Sequence, residues 1–265
     1  MRLLPWALLA VVVTVSLAPT RLLAGPNGVG QSKPAFSSIT VIGDSLSDTG
    51  RTAQAAGPLF PPFYWNGRVS NGPVWVEYFS AQLGLAYNPV RNLAWAGAQT
   101  GTGNSLNPLL PGMRQQTDQL LNLAKHVDKD ALYVVFGGSN DFLRILNGAD
   151  PVTVINSAVN NLVTIVSQLR AAGAKHILVV DLPDVGLTPR ARALGPLMAL
   201  QATVLSVQFN TALAAALDTM DKKIMRASAF AVLHALHANA AAYGFTDVEN
   251  MGYPLLPGGD THLFW

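Results

Sequence analysis

Short apolar runs alternate with longer amphipathic stretches along most of this chain. Three runs have the length and composition of buried strands, at residues 38–42, 131–136 and 176–182. Each run is followed closely by Gly, Asp or Pro, as expected where a strand ends. The pattern therefore predicts at least three strands, well separated along the sequence.

Helical periodicity fills the space between these runs. Apolar residues recur at three- and four-residue steps at Val154, Ile155, Ala158, Leu162, Ile165, Val166 and Leu169. Gly173 is placed to end that helix. A second helix with the same period is predicted over residues 197–217. Strands alternating with helices favour an α/β fold with a mainly parallel sheet covered on both faces.

The N-terminus has a different character. Residues 1–24 are predicted to be a signal peptide, because Arg2 precedes an apolar run over residues 3–18 that is short for a membrane span. A cleavage site after Ala24 fits, and an uncleaved anchor is the alternative. A secreted or periplasmic location follows. Residues 25–37 are Gly-, Pro- and Ser-rich and are predicted to be a flexible lead-in to one domain at residues 38–265.

Charge and cysteine content exclude several function classes. Arg2 and Arg21 account for the excess of 17 basic over 15 acidic residues, so the chain after the leader is balanced. The sequence has no basic stripe of the kind that binds nucleic acid, so no nucleic-acid partner is expected. The chain has no cysteine, which excludes disulfides, thiolate metal sites and a cysteine nucleophile.

The first candidate for chemistry is Ser45, directly after the first predicted strand. We predict that the strand ends at Gly43 and that Ser45 lies in a turn at the start of a helix. There its hydroxyl would be close to backbone N–H groups and a positive helix end. An ordinary helix-capping serine is the alternative interpretation.

Two further segments offer hydrogen-bond donors. Residues 92–98 contain Gly97, whose N–H is accessible because no side chain blocks approach. Asn140 follows the second predicted strand and carries a side-chain amide. An ester hydrolase needs such donors from different loops to stabilise an oxyanion. Turn-forming roles are the alternative for both residues.

Taken together, the ordered motifs resemble those of the GDSL (SGNH) family of serine ester hydrolases. The resemblance runs from about residue 38 to residue 265 and includes a GDSL block. The matching segments are 43–46 (GDSL), 67–75 (GRVSNGPVW), 92–98 (NLAWAGA), 138–141 (GSND), 182–189 (LPDVGLTP) and 243–248 (YGFTDV).

The resemblance implies roles for three residues and a fold. Ser45 would be the nucleophile, and the N–H of Ser45, the N–H of Gly97 and the amide of Asn140 would form the oxyanion hole. The implied fold is a three-layer α/β/α sandwich of the flavodoxin-like SGNH kind. The implied reaction is hydrolysis of a small-molecule, lipid or glycan ester through an acyl-enzyme, with no cofactor and no metal. From the predicted signal peptide, no stable membrane span is expected after leader cleavage.

The general base is where the pattern departs from the family. The family takes its Asp and His from a late Asp-x-x-His-Pro block. Of the five histidines, four are expected at a helix end, in a strand or in an Ala-rich helical stretch: His126, His176, His234 and His237. Residues 259–265 read GDTHLFW, and Asp260 with His262 could be an altered base pair. The alternative alignment matches LFW to the segment that precedes the catalytic Asp, which gives His262 an aromatic position and leaves the Asp and His beyond the chain end.

Three interpretations therefore stay open from the sequence. The chain is a truncated esterase without a base, an active enzyme that uses His262 with Asp260, or a non-catalytic secreted binding protein.

Overall fold

The structure, a computed structural model, describes residues 34–123 and 127–250. The predicted signal peptide, most of the predicted lead-in, His126, and the Asp260 and His262 pair lie outside the described residues. The described chain begins to contact the domain at Phe36, whose ring meets His176 edge-on at 5.2 Å. Ser37 follows with a hydrogen bond from its hydroxyl to Asp128. The last residues of the predicted lead-in thus pack on the domain.

A parallel sheet of four strands forms the centre of the described fold. In register, Ile39 pairs with Leu132, and Leu132 pairs with His176. The strands lie in chain order: β1 (Ile39–Gly43), β2 (Leu132–Phe136), β3 (His176–Val180) and β4 (Met225–Ala227). The three predicted strands are confirmed. β4 was not predicted, because its three residues, MRA, form no apolar run.

Eight α-helices connect and cover these strands in the described ranges. They are α1 (Arg51–Ala56), α2 (Trp75–Gln82), α3 (Met113–Leu123), α4 (Phe142–Leu146), α5 (Pro151–Ala171), α6 (Pro189–Ala193), α7 (Pro196–Asp218) and α8 (Ala229–Ala238). Short 3-10 turns fill several connections.

Both faces of the sheet are buried, and each has its own apolar cluster. On one face Val135 and Val179 lie in a cluster with residues of α5 and α7, such as Leu162 and Phe209. On the other face Val134 lies with Val76 of α2. Because side chains alternate along a strand, neighbouring residues serve opposite layers. The α/β fold with three layers is confirmed.

Helix α5 shows how the sequence specifies a core element. The Asp150 side chain accepts the Thr153 N–H at 2.8 Å, and Pro151 occupies the first turn, where no backbone donor is lost. The periodic apolar residues named above are all buried. Gly173, with φ of 102°, ends the helix in a conformation that favours glycine. The predicted helix is confirmed.

Helix α7 is also confirmed, but its apolar pattern is only partly used. Phe209, Leu213 and Leu217 are buried, whereas Leu197 is 80% and Leu200 61% exposed. Helices α5 and α7 are each long and apolar enough to cross a membrane by length and composition. A core helix passes the same test, and both helices contribute to the cluster on one sheet face. The expected lack of a membrane span stays a prediction.

Candidate active site

The carboxyl end of β1 is fixed by a side-chain amide from α3. Gln116 is fully buried, accepts the Gly43 N–H at 2.9 Å and donates to the Gly43 carbonyl at 2.9 Å. A Cβ on Gly43 would lie 2.6 Å from the Phe136 carbonyl oxygen. Only glycine therefore lets β1 and β2 approach this closely where the chain turns into Ser45.

Ser45 lies in a turn and not at a helix start, which corrects the sequence prediction. The N–H groups of Ser47 and Asp48 both donate to the Asp44 carbonyl at 3.0 Å, which closes the turn. Helix α1 begins only at Arg51. Between Ser45 and this helix lies Asp48, whose carboxylate accepts the N–H groups of Arg51 and Thr52 at the helix start. The backbone N–H groups next to Ser45 therefore belong to this turn and not to the first turn of a helix.

Asp44 is a buried carboxyl beside Ser45. It is 1% exposed, and burial raises its pKa to about 7, against a smaller opposing effect of the hydrogen bond from the Leu46 N–H. The nearby carboxyl of Asp141 raises the pKa further. A neutral acid is favoured at this position below about pH 7.

The Asp48 carboxylate joins the Ser45 turn to the segment that carries Gly97. One oxygen accepts from the N–H groups of Gly50 and Arg51 at 2.8 Å. The other accepts from the N–H groups of Thr52 at 3.1 Å and Ala96 at 3.0 Å. A single buried side chain therefore orients α1 and holds the neighbouring loop against it.

Asn92 makes a second connection to the same turn. Its amide donates to the Ser47 carbonyl at 2.6 Å, and its side-chain oxygen accepts the Ala94 N–H at 3.1 Å. The backbone here runs beside β1, since the Leu93 N–H donates to the Val41 carbonyl at 2.8 Å. Asn92 thus acts as a structural link that sets the path toward Gly97.

Gly97 occupies a position that admits no side chain. Its φ is 78°, and a Cβ would lie 2.6 Å from the Asn104 Oδ1 and 2.7 Å from the Leu106 Cγ. Its carbonyl accepts the Ser105 N–H at 2.8 Å. The loop is therefore closed tightly around a residue that must be glycine.

Asn140 brings the loop after β2 to the same place. Its Nδ2 donates to the Ala98 carbonyl at 3.1 Å and lies 3.5 Å from the Asp44 Oδ2. Its side-chain oxygen accepts from the Ser105 hydroxyl at 3.3 Å. Asn140 thus contacts residues directly adjacent to both Ser45 and Gly97, and the three segments converge beyond the ends of β1 and β2.

Two backbone donors at this convergence are unpaired. Within residues 34–123 and 127–250, the N–H groups of Ser45 and Gly97 donate to no other group. Gly97 is buried, and buried N–H groups are rarely left without an acceptor. Such donors are suited to donate to a ligand oxygen.

The three described histidines all lie in other environments. His176 begins β3, at the end of the sheet opposite Ser45. His234 bonds through Nε2 to the buried Asp184 carboxylate at 2.9 Å and stacks on Phe230. His237 is partly buried, and burial lowers its pKa. None of these rings is hydrogen-bonded to Ser45 within the described part of the chain.

Sequence reasoning anticipated the segments of this site but missed several of its supports. Gln116, Asp48 and the Asp184–His234 pair were not singled out as structural partners. The sequence around Gln116 does not indicate that this side chain is buried, because a glutamine in an amphipathic helix is usually exposed. In the described ranges, no group of three His, Cys, Asp or Glu side chains could hold a metal ion.

Comparisons with known proteins agree with this architecture. The family model for GDSL-like lipase/acylhydrolase matches residues 39–254. The phosphatidylcholine-sterol acyltransferase of Aeromonas hydrophila is 33% identical over 171 residues, which cover 61% of this chain and 49% of that protein. Esterase EstA of Pseudomonas aeruginosa is 32% identical over 273 residues, covering 87% of this chain and 41% of that protein.

A solved structure supports the fold. A member of the lipolytic protein G-D-S-L family from Veillonella parvula superposes with a TM-score of 0.50 at 16% identity, covering 84% of this chain and 91% of that one. The chain spans about half the length of the first curated relatives it matches, or less. With the family match extending over most of the sequence, the chain belongs to the GDSL-like lipase/acylhydrolase family.

Proposed function

We propose that this chain is a serine ester hydrolase in which Ser45 is the nucleophile of an acyl-enzyme mechanism. The observation that carries the proposal is the convergence of Ser45, Gly97 and Asn140 with two unpaired backbone N–H groups among them. An oxygen at that point would accept from the N–H of Ser45 and the N–H of Gly97. It would also accept from the Asn140 amide, in place of the 3.5 Å contact between Nδ2 and the Asp44 Oδ2. Removing one such donor in a hydrolase costs about 3–4 kcal/mol of transition-state stabilisation.

The proposed chemistry follows from these positions. The Ser45 oxygen adds to the ester carbonyl carbon, its proton passes to a general base, and the carbonyl oxygen becomes an oxyanion in the donor pocket. Collapse of this intermediate breaks the ester bond and releases the alcohol with a proton. Water then adds to the acyl-enzyme by the same route and releases the acid.

The candidate for the general base that activates Ser45 comes from the sequence, because none of the described histidines is hydrogen-bonded to Ser45. His262 with Asp260 is the candidate pair within this chain. The family alignment instead gives His262 an aromatic position. These two assignments predict different behaviour of a His262→Ala variant.

Substrate and location are part of the proposal. The substrate is a small-molecule ester, and lipid or glycan acyl esters are the classes we infer. A relative from Salmonella typhimurium carries the name secreted effector protein. That name and the predicted leader support export of this chain to the periplasm or the medium.

The function is tested with Ser45→Ala on p-nitrophenyl butyrate. We expect hydrolysis to fall at least about a hundredfold, because the covalent route is lost. Ser167→Ala is the matched control, since that hydroxyl only bonds to the Val163 carbonyl on an exposed helix surface. Equal rates in the three proteins, with no labelling of Ser45 by a fluorophosphonate, would contradict the proposal that this chain hydrolyses esters through Ser45.

The base is tested separately with His262→Ala. If His262 removes the Ser45 proton, the variant should fall to the rate of Ser45→Ala. If His262 instead takes the aromatic position of the family alignment, the variant should retain the parental rate. A loss comparable to that of Ser45→Ala would contradict that alignment and assign His262 as the base.

A further inference from the structure

A polar cavity of about 390 Å³ lies beside the Asn140 loop. Its wall is formed by the loop at residues 99–103, the start of α3 and the facing residues of α4 and α5. The side chains that line it include Gln99, Arg114, Asp141, Arg144 and Asn161. The volume is within the range of small-molecule sites.

Two arginines on this wall have no acceptor in the described part of the chain. The Nε of Arg114 is buried and has no hydrogen-bond partner there. Neither Arg114 nor Arg144 forms an ion pair or hydrogen bond through its side chain within residues 34–123 and 127–250. Burying a charged donor without an acceptor is unfavourable, so the buried Nε of Arg114 favours an anionic ligand. Arg144 is exposed and adds a second positive charge on the same wall.

Burial raises the pKa of Asp141 and the nearby Arg144 charge opposes this rise, but the Asp141 carboxylate forms no hydrogen bond or ion pair with either arginine in the described part of the chain. One of its oxygens accepts the Thr100 N–H at 2.9 Å, and the other accepts the Thr100 hydroxyl at 2.8 Å. Asn161 donates to the same hydroxyl at 3.2 Å. These hydrogen bonds direct the Asp141 carboxylate toward Thr100 in the loop. The cavity lining thus carries two positive side chains, Arg114 and Arg144, and one acidic side chain, Asp141.

The cavity adjoins the loop that carries Asn140. Gln99 lines it and places its Nε2 3.4 Å from the Asn140 carbonyl oxygen. Asp141, on the same wall, is the next residue after Asn140. A group bound in the cavity is therefore only a few atoms from the segment that supplies the Asn140 amide.

We propose that this cavity binds a phosphate group of the ester substrate through Arg114 and Arg144. Guanidinium groups bind phosphate oxygens in pairs, which makes arginine a specific partner for this anion. Assignment of the phosphate to the substrate rests on the proposed esterase function. The binding site itself does not depend on it.

The test uses the full 265-residue chain with Ser45→Ala, so that no ester is consumed. Binding is measured by calorimetry with inorganic phosphate and glycerol 3-phosphate, and by co-sedimentation with phosphatidylcholine vesicles with or without phosphatidic acid. We expect Arg144→Gln and Arg114→Gln each to weaken binding about tenfold, as for loss of a charge-assisted hydrogen bond. Arg190→Gln is the control, because Arg190 is exposed on α6 and does not line the cavity.

Each outcome bears on the proposal. Saturable binding of the soluble phosphates, lost in the two cavity variants but not in the control, supports the site with a soluble source. Binding confined to phosphatidic acid vesicles, with the same loss, supports it with a lipid headgroup as the source. Absence of binding to all ligands, or equal loss in Arg190→Gln, overturns it. The exposed position of Arg144 keeps the test informative if Arg114→Gln fails to fold.

Failure of the two proposals is distinguishable. Hydrolysis of neutral p-nitrophenyl butyrate by the parent chain without phosphate binding would remove only the phosphate site. Phosphate binding without any Ser45-dependent hydrolysis would remove only the esterase function.

Discussion

At the residue scale, the candidate site depends on two groups in unusual states. Gly97 has a left-handed backbone conformation, and its missing side chain leaves space that Asn104 and Leu106 fill. Asp44 is a carboxyl held out of water beside the proposed nucleophile. Each state has a measurable consequence for stability.

Gly97→Ala should destabilise the protein by more than the left-handed conformation alone requires. An L-residue at this φ costs about 1–2 kcal/mol, and the Cβ at 2.6 Å from the Asn104 Oδ1 adds a steric cost of roughly 1–3 kcal/mol. Gly148→Ala is the matched control, because its φ is 90° and no atom lies within 4 Å of its Cβ. Urea unfolding of both variants measures the difference. Equal losses would show that the Gly97 loop is loosely packed.

Asp44 should make stability fall as pH rises. Its pKa is about 7 in the folded chain against 3.8 for an unperturbed Asp, so the folded state binds the extra proton between these values. The free energy of unfolding should then decrease by up to about 1.4 kcal/mol per pH unit between about pH 4 and pH 7, and level off above.

The pH effect of Asp44 is isolated by comparison with Asp44→Asn. We expect the parent to lose stability relative to this variant across that pH window, since the amide does not ionise. Thermal unfolding between pH 4 and pH 8 measures it. A constant difference at all pH values would contradict a raised pKa at Asp44.

At the element scale, the site depends on how helices hold the ends of strands. The α3 helix holds β1 through the paired hydrogen bonds of Gln116 with Gly43. The extended segment at Asn92 holds the other side of β1. Residues distant in sequence thus fix the point from which Ser45 emerges.

Gln116→Met tests the link between α3 and β1. The side chain keeps a similar volume, but the buried N–H and carbonyl of Gly43 lose their side-chain partner, which should cost about 2–4 kcal/mol. Gln119→Met on the exposed face of the same helix should change stability by less than about 0.5 kcal/mol. Denaturant unfolding compares them. Similar small effects in both variants would mean that water replaces the Gln116 amide.

At the scale of the whole molecule, the sheet is enclosed between two apolar layers, but the described helices leave one apolar face uncovered. The N-terminal half of α7 exposes Leu197, Leu200, Val204 and Val207 at three- and four-residue spacing. Contiguous apolar surface of this kind promotes association.

Replacing Leu197 and Leu200 by Glu should reduce association without loss of stability. Both positions are largely exposed, and acidic residues near a helix N-terminus are favourable. Light scattering against concentration measures association, and thermal unfolding measures stability. Leu213→Glu, at a residue only 2% exposed, should unfold the protein instead. A large loss of stability in the Leu197 and Leu200 variant would show that another part of the chain covers this face.

The sequence by itself determined the elements whose signal is local. The apolar runs of β1, β2 and β3 and the periodic residues of α5 were sufficient, because burial on both sheet faces requires continuous or regularly spaced apolar side chains. The motifs around Ser45, Gly97 and Asn140 likewise indicated the candidate site and its family.

Only the tertiary structure decided how these residues are held together. Gln116 and Gly43 are 73 positions apart, and Asp48 and Ala96 are 48 positions apart. Their hydrogen bonds depend on the packing of distant segments, which a local pattern of residues does not specify. The turn at Ser45 is a further example, since α1 begins at Arg51, where the Asp48 carboxylate accepts the Arg51 N–H. The same holds for Arg114 and Arg144, which are ordinary helix residues until packing places them on one cavity wall.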